Sequence, residues 1–169
     1  MDALQSRRQR CLYAPTPEER FAAWLSPPSS PEESAVLDYG LRLLPFAKLK
    51  SFATTPVLRC VFTYTVQDGD CNPINLHGGC IATLIDMLTS LSLVPVQKPG
   101  FWEFLGVSRT LNVTYLSPVG AGETVTVECE VVSLGKRSCH LTAVLKSEDG
   151  RVVATGTHDK VDLHGVNKL

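Results

Sequence analysis

Asp86 lies between Leu84, Ile85, Met87 and Leu88, a carboxylate set in a run of large apolar side chains. Burying such a group costs several kcal/mol unless hydrogen bonds or an opposite charge compensate it, so a chain that carries it has a use for an acid or a base. Upstream, Asn72-Pro73 signals a turn, and His77-Gly78-Gly79 leads from that turn into the apolar run. The first amides of a helix have no partner inside it and carry partial positive charge, and two glycines there admit a close approach. Such a helix mouth suits a carbonyl oxygen that must be polarised. Asp86 stands eight positions after Gly78, roughly 12 Å along a helix axis at the standard rise. One carbonyl cannot touch both in a single copy. Either they serve different purposes, or a second copy brings its Asp86 to this copy's Gly78, and a two-fold dimer then builds two equal sites.

The elements that must position these groups follow from the hydrophobic pattern. Gly79 to about Leu93 reads as a helix apolar on nearly every face. It is shorter than the ~20 apolar residues a membrane span needs, so it is expected to be wrapped by the rest of the protein. Strands are expected at 47–54 and 56–67 before it, with Asp68-Gly69-Asp70 as a loop, and at 104–116, 123–134, 138–146 and 151–161 after it. The clearest is 123–134, where Val125, Val127, Cys129 and Val131 alternate with Thr124, Thr126, Glu128 and Glu130. The stretch 94–103 reads as a loop whose Phe101 and Trp102 pack rather than touch a ligand. An antiparallel sheet must bury one face, and the helix is the obvious thing to bury.

Several of these residues together resemble the hotdog-fold acyl-coenzyme A thioesterases, in the PaaI-type branch that includes acyl-CoA thioesterase 13. They are His77-Gly78-Gly79, an upstream Asn, an Asp nine residues after the His, and the later Gly-Val-Ser…Asn-Val-Thr-Tyr-Leu-Ser-Pro. The resemblance covers roughly 52–163. It implies an α+β fold, a curled antiparallel sheet around one long central helix. It further implies hydrolysis of acyl-CoA or carrier-bound acyl thioesters by a homodimer, possibly paired again into a tetramer. Coenzyme A would enter as part of the substrate, with no separate cofactor. By resemblance, the Gly78 amide polarises the thioester oxygen with Gly79 beside it, and His77 orients the neighbouring Asn or the substrate. Asp86 activates water or attacks directly from across the dimer, and Ser108 positions the water. Asn72 departs from the family pattern: it stands five positions before His77 rather than six, and Cys71 occupies the usual place. Lys136, Arg137, His158 and Lys160, at or near strand ends, are expected to meet coenzyme A phosphates. A hotdog dehydratase or hydratase, and a non-catalytic acyl-thioester-binding protein, are the competing readings.

Composition narrows the classes. The chain has 169 residues, 44% hydrophobic, with a net charge of −1 and an isoelectric point near 6.4, which favours neither nucleic acid nor an anionic membrane as partner. Its six cysteines, Cys11, Cys60, Cys71, Cys80, Cys129 and Cys139, form no Cys-x-x-Cys pair and read as reduced, buried thiols. Zinc on Cys71, His77 and Cys80 lacks a fourth ligand, so no metal is expected. The start carries Arg7, Arg8 and Arg10 but no secretory pattern, and Asp2, Glu18 and Glu19 argue against a mitochondrial address, so a cytoplasmic location is expected. Residues 1–44 are read as an extension: a disordered tail to Pro15, a helix opened by Thr16-Pro17-Glu18-Glu19, and a second helix from Ser30 or Pro31 to about Leu44. Residues 45–169 form the main domain.

Overall fold

The structure is a computed structural model and describes residues 9–28, 39–40 and 42–163. The expected second N-terminal helix falls largely outside the described residues. Helix α1 spans Pro17–Leu25 and opens on a complete capping box: the Thr16 hydroxyl accepts from the Glu19 amide, and the Glu19 carboxylate accepts from the Thr16 amide. Its Phe21 is buried and meets the rings of Phe52 and Phe62 at 5.7 and 6.0 Å. Residues 9–13, expected to be disordered, are helical, with Cys11 and Leu12 buried. The Gln97 side-chain amide donates to the Cys11 carbonyl at 2.6 Å, which ties this segment to the body.

Six strands form one antiparallel sheet: β1 (Ala47–Ala53), β2 (Leu58–Thr65), β3 (Val107–Tyr115), β4 (Thr124–Leu134), β5 (Ser138–Lys146) and β6 (Val152–Val161), in the spatial order β1-β2-β4-β5-β6-β3. Helix α2, Gly78–Leu91, lies against it. This is the arrangement expected of a hotdog fold. The helix starts one residue earlier than its apolar pattern suggests, because the His77 ring caps it: Nδ1 accepts from the Gly79 amide at 2.9 Å. Strand β3 begins at Val107, later than expected, since Leu105 and Gly106 have positive φ of 63° and 65°.

Ile81, Leu84, Ile85 and Leu88 are buried, the i, i+3, i+4, i+7 face of an amphipathic helix. Each stabilises the fold by about 1.5–3 kcal/mol through lost apolar exposure. The expectation that the helix is apolar on nearly every face is corrected here. Ala82, Thr83, Asp86, Met87 and Ser90 form a second stripe that is only half-buried. A single curled sheet covers one side of a helix and leaves this stripe partly exposed, with Asp86 still meeting Ser108 of β3.

The inward row of β6 is Ala154, Gly156, His158 and Lys160, all buried. At Gly156 the sheet and helix touch: a Cβ there would lie 2.7 Å from Ile85 Cγ2 and 3.2 Å from its Cδ1. Ile85 is itself fully buried and has no room to retreat. Gly156→Ala is therefore expected to lower stability by about 1–3 kcal/mol through overpacking, measured by denaturant unfolding. A loss of only a few tenths would mean that helix and strand separate easily.

Candidate active site

Two polar clusters sit at opposite ends of α2. The first surrounds Asp86. Its Oδ1 accepts from Ser108 Oγ at 2.7 Å, and His158 Nε2 lies 2.9 Å from the same hydroxyl and 3.2 Å from Oδ1. The other ring nitrogen, Nδ1, is 2.7 Å from Thr89 Oγ1. Thr89 in turn donates to the Ile85 carbonyl at 2.6 Å, and Ser90 Oγ donates to the Asp86 carbonyl at 2.6 Å. Oδ2 of Asp86 has no hydrogen bond among the described residues.

Ser108 reaches this cluster through a register shift. Leu111 pairs with His158 and Thr110 with Asp159, but Arg109 is an extra residue, so Ser108 pairs with Lys160. Cross-strand partners share a face, and the bulge places the hydroxyl on the helix side with His158 and Lys160.

The Asp86 side chain retains 36% of its exposure, which corrects the expectation of a deeply buried carboxylate. It opens onto a cavity of about 310 Å³ lined by Ser90, Ser108, Lys160, Trp24 and Phe104. His158 is corrected too. It is fully buried and turned toward the helix, out of reach of a phosphate in solvent. Burial, and then the charge of Lys160, pull its pKa down to about 4, with Asp86 and Asp159 opposing. Lys160, 4% exposed, is likewise lowered by burial, with Asp86 working against the shift.

The second cluster is the helix mouth. Gly78 occupies the first helical position, where amides have no partner within the helix. Tyr115 Oη donates to the Gly78 carbonyl at 3.1 Å. The Gly79 amide is already engaged by His77. Beneath the mouth, the His77 amide donates to the carbonyl of Asp70, whose buried carboxylate accepts from the Tyr64 phenol and from the Gln67 amide. The expected loop at 68–70 is thus a 3-10 turn built around a buried acid. Asn72 is exposed on a turn closed by paired backbone bonds with Asn75, at 2.9 and 3.0 Å. Lys136 and Arg137 are exposed on the β4–β5 turn.

A model of the thioesterase superfamily matches residues 75–154, a stretch that holds Gly78, Asp86, Thr89, Ser108 and Tyr115 and stops before His158. Over this stretch the chain is similar to the thioesterase superfamily. Human acyl-coenzyme A thioesterase 13 is 32% identical over 97 residues, which is 56% of this chain and 66% of that relative. The match therefore spans just under two thirds of the relative's own length. Among solved structures, zebra fish thioesterase superfamily member 2 has a TM-score of 0.66 and 27% identity, covering 83% of this chain and 91% of that one. The mouse thioesterase superfamily member 2 has a TM-score of 0.61 and 29% identity, covering 71% and 84%. The chain has no helix among its described residues long and apolar enough to cross a membrane.

Thr89 and Tyr115 are the site residues that sequence reasoning missed. The signal for Thr89 was its position three residues after Asp86, within one turn of the same helix. For His158, the alternating positions Gly156, His158 and Lys160 carry no apolar signal, and pairing with Leu111 and Leu141 puts the ring inside.

The buried ring also sets a pH dependence. In the unfolded chain His158 titrates at its ordinary 6.5, and in the fold at about 4. Between these values the unfolded chain binds a proton that the fold refuses. This contribution to stability is complete above pH 6.5 and is lost as pH falls toward 4. The melting temperature is expected to drop across that window, and less steeply in His158→Gln. An equally steep drop in the variant would place the loss on other groups.

Proposed function

We propose that this protein hydrolyses acyl-CoA or carrier-bound acyl thioesters, with Asp86 as the general base and the Gly78 amide of a second copy holding the carbonyl oxygen. The observation that carries the reading is Asp86 itself. One carboxylate oxygen is anchored by Ser108 at 2.7 Å, the other is left open to a cavity, and the stripe of helix around it is only half-buried. An anchored, half-exposed carboxylate suits removal of a proton from water. As the water oxygen bonds to the carbonyl carbon, its proton passes to Asp86, and negative charge grows on the carbonyl oxygen. An amide at the positive end of a helix stabilises that charge. Collapse breaks the carbon–sulfur bond, and the thiolate takes the proton back.

The need for two copies follows from distance. Gly78 and Asp86 are eight positions apart on one helix, roughly 12 Å. Strand β3 supports the same conclusion. Its Ser108 sits at the Asp86 cluster and its Tyr115 at the Gly78 mouth. Among the described residues it pairs only with β6, leaving an outer edge that exposes Val107 and Tyr115. Unpaired apolar edges seek another strand. A two-fold pairing about the middle of β3 sets Ser108 of one copy opposite Tyr115 of the other, and so sets Asp86 beside the other copy's mouth. Asn72, exposed on the turn before that mouth, is the candidate second donor to the oxyanion. Gly79 shapes the approach, and His77 keeps the mouth in place. Lys136 and Arg137 are the remaining candidates for the phosphates of a coenzyme A arm.

Gly78→Pro tests the oxyanion role, because proline deletes the amide hydrogen at a position where helices accept it. Asp86→Asn and Gly78→Pro are each expected to lower kcat by at least about 10²-fold while folding normally. Asn72→Ala should lower it by less, and unchanged turnover would remove Asn72 from the mechanism. Mixing the two dead variants distinguishes shared from separate sites. A heterodimer that shares sites has one site with both lesions and one intact, so about a quarter of native activity should return. No recovery in verified heterodimers would confine each site to one chain. An acyl-CoA panel showing crotonyl-CoA hydration in place of hydrolysis, or binding without turnover, would overturn the hydrolase reading.

A further inference from the structure

The proton count behind Asp86 does not close at rest. Four contacts link the Ile85 carbonyl to the Asp86 carboxylate by way of Thr89, His158 and Ser108, at 2.6, 2.7, 2.9 and 2.7 Å. Both ends are acceptors only, so each contact needs one hydrogen from the groups between. Two hydroxyls and a neutral imidazole supply three. The Ile85 carbonyl has no hydrogen to offer, so at 2.6 Å it takes the one on Thr89. The Asp86 carbonyl, at 3.2 Å, is a second and longer acceptor for the same hydrogen. Thr89 must then accept from Nδ1–H of His158, which leaves Nε2 as a bare lone pair. The single hydrogen on Ser108 faces two acceptors, Nε2 and Asp86 Oδ1.

A proton arriving from water on the open Oδ2 relieves the competition. Oδ1 of the neutral carboxyl is a weaker acceptor, so the Ser108 hydroxyl turns to Nε2. We propose that His158 and Thr89 are positioning residues that hold a lone pair behind Ser108, draw the Ser108 hydrogen away from Asp86 Oδ1, and so make the carboxylate a better acceptor of the proton from water. The proposal rests on Asp86 as the general base and deepens that reading. The surroundings keep the ring neutral: burial holds its pKa near 4, and Lys160 on the same strand disfavours a second positive charge. Asp86 and Thr89 face it from α2, Ser108 from β3 and the apolar Leu141 from β5. Asp159, also on β6, is held by Thr110 and His140.

Thr89→Val removes the acceptor for Nδ1–H and keeps the shape. The ring then carries its hydrogen on Nε2, donates toward Ser108 and Asp86, and stabilises the carboxylate. A weaker base is the expected result. Turnover should fall about tenfold, KM should stay within about twofold, and the acidic limb of kcat/KM should move to lower pH. His158→Leu should show the same signature. His158→Gln, whose carbonyl can accept from Ser108, should recover part of the rate. Native rate and an unmoved limb in Thr89→Val would overturn the proposal, as would equal damage in His158→Leu and His158→Gln with the limb unmoved. Nitrogen-15 spectra of the native protein read the tautomer without any variant: Nδ1–H is expected, and Nε2–H overturns the proposal even if no variant folds. Asp86→Asn separates the two levels. Native turnover in that variant would end the base assignment and this proposal together. An inactive Asp86→Asn beside native Thr89→Val and His158→Leu would end this proposal alone.

Discussion

The contact between one side of α2 and the curled sheet is the constraint from which the other features follow. The sheet presses on the helix closely enough that β6 carries no side chain at Gly156, where Ile85 fills the space. The aliphatic face is spent on that contact. What remains on the helix is a stripe of Ala, Thr, Asp, Met and Ser that a single chain leaves half-covered. A carboxylate on this stripe avoids the full cost of burial, yet it stands on a rigid element whose other face is locked in the core. The fold therefore supplies an acid that is both fixed and reachable.

The electrostatics divide along the same line. Behind Asp86 the groups are dry: His158 is fully buried, Thr89 is fully buried, and Lys160 nearly so. In front of it is the cavity. Burial lowers the proton affinity of both His158 and Lys160, so the interior resists new positive charge and leaves the open carboxylate to exchange protons with a guest. At the other end of the helix, a backbone amide and a helix dipole replace side-chain charge altogether. An acid at one end and a positive dipole at the other give the rod opposite chemical character along its length.

Much of this was legible in the residues. Period-two alternation located β4, β5 and β6 to within a residue, because each has one face in the core. The helix and its Asp were visible for the same reason. Three things were not legible. Periodicity could say that α2 is apolar but not how much of it one sheet covers, since coverage depends on curvature and on the number of copies. The role of His158 was obscured by its neighbours: between Thr157 and Asp159, and two residues from Lys160, it reads as one more polar residue near a strand end. Its inward direction is set by pairing with Leu141 and Leu111, which is a long-range fact. The cap on α2 made by His77 was hidden too, because histidine is not among the residues that usually cap.

The bulge at Arg109 carries an implication of its own. Along a strand, odd and even positions look to opposite sides, so the side on which a group lies is a matter of parity. Seven steps separate Ser108 from Tyr115, an odd number, and a regular ribbon would send the two hydroxyls to opposite sides. The additional residue makes the count effectively even. One chain segment can thereby serve both ends of the same rod, and the capacity to do so is all-or-none rather than graded: it depends on a whole residue, not on a small adjustment of angle.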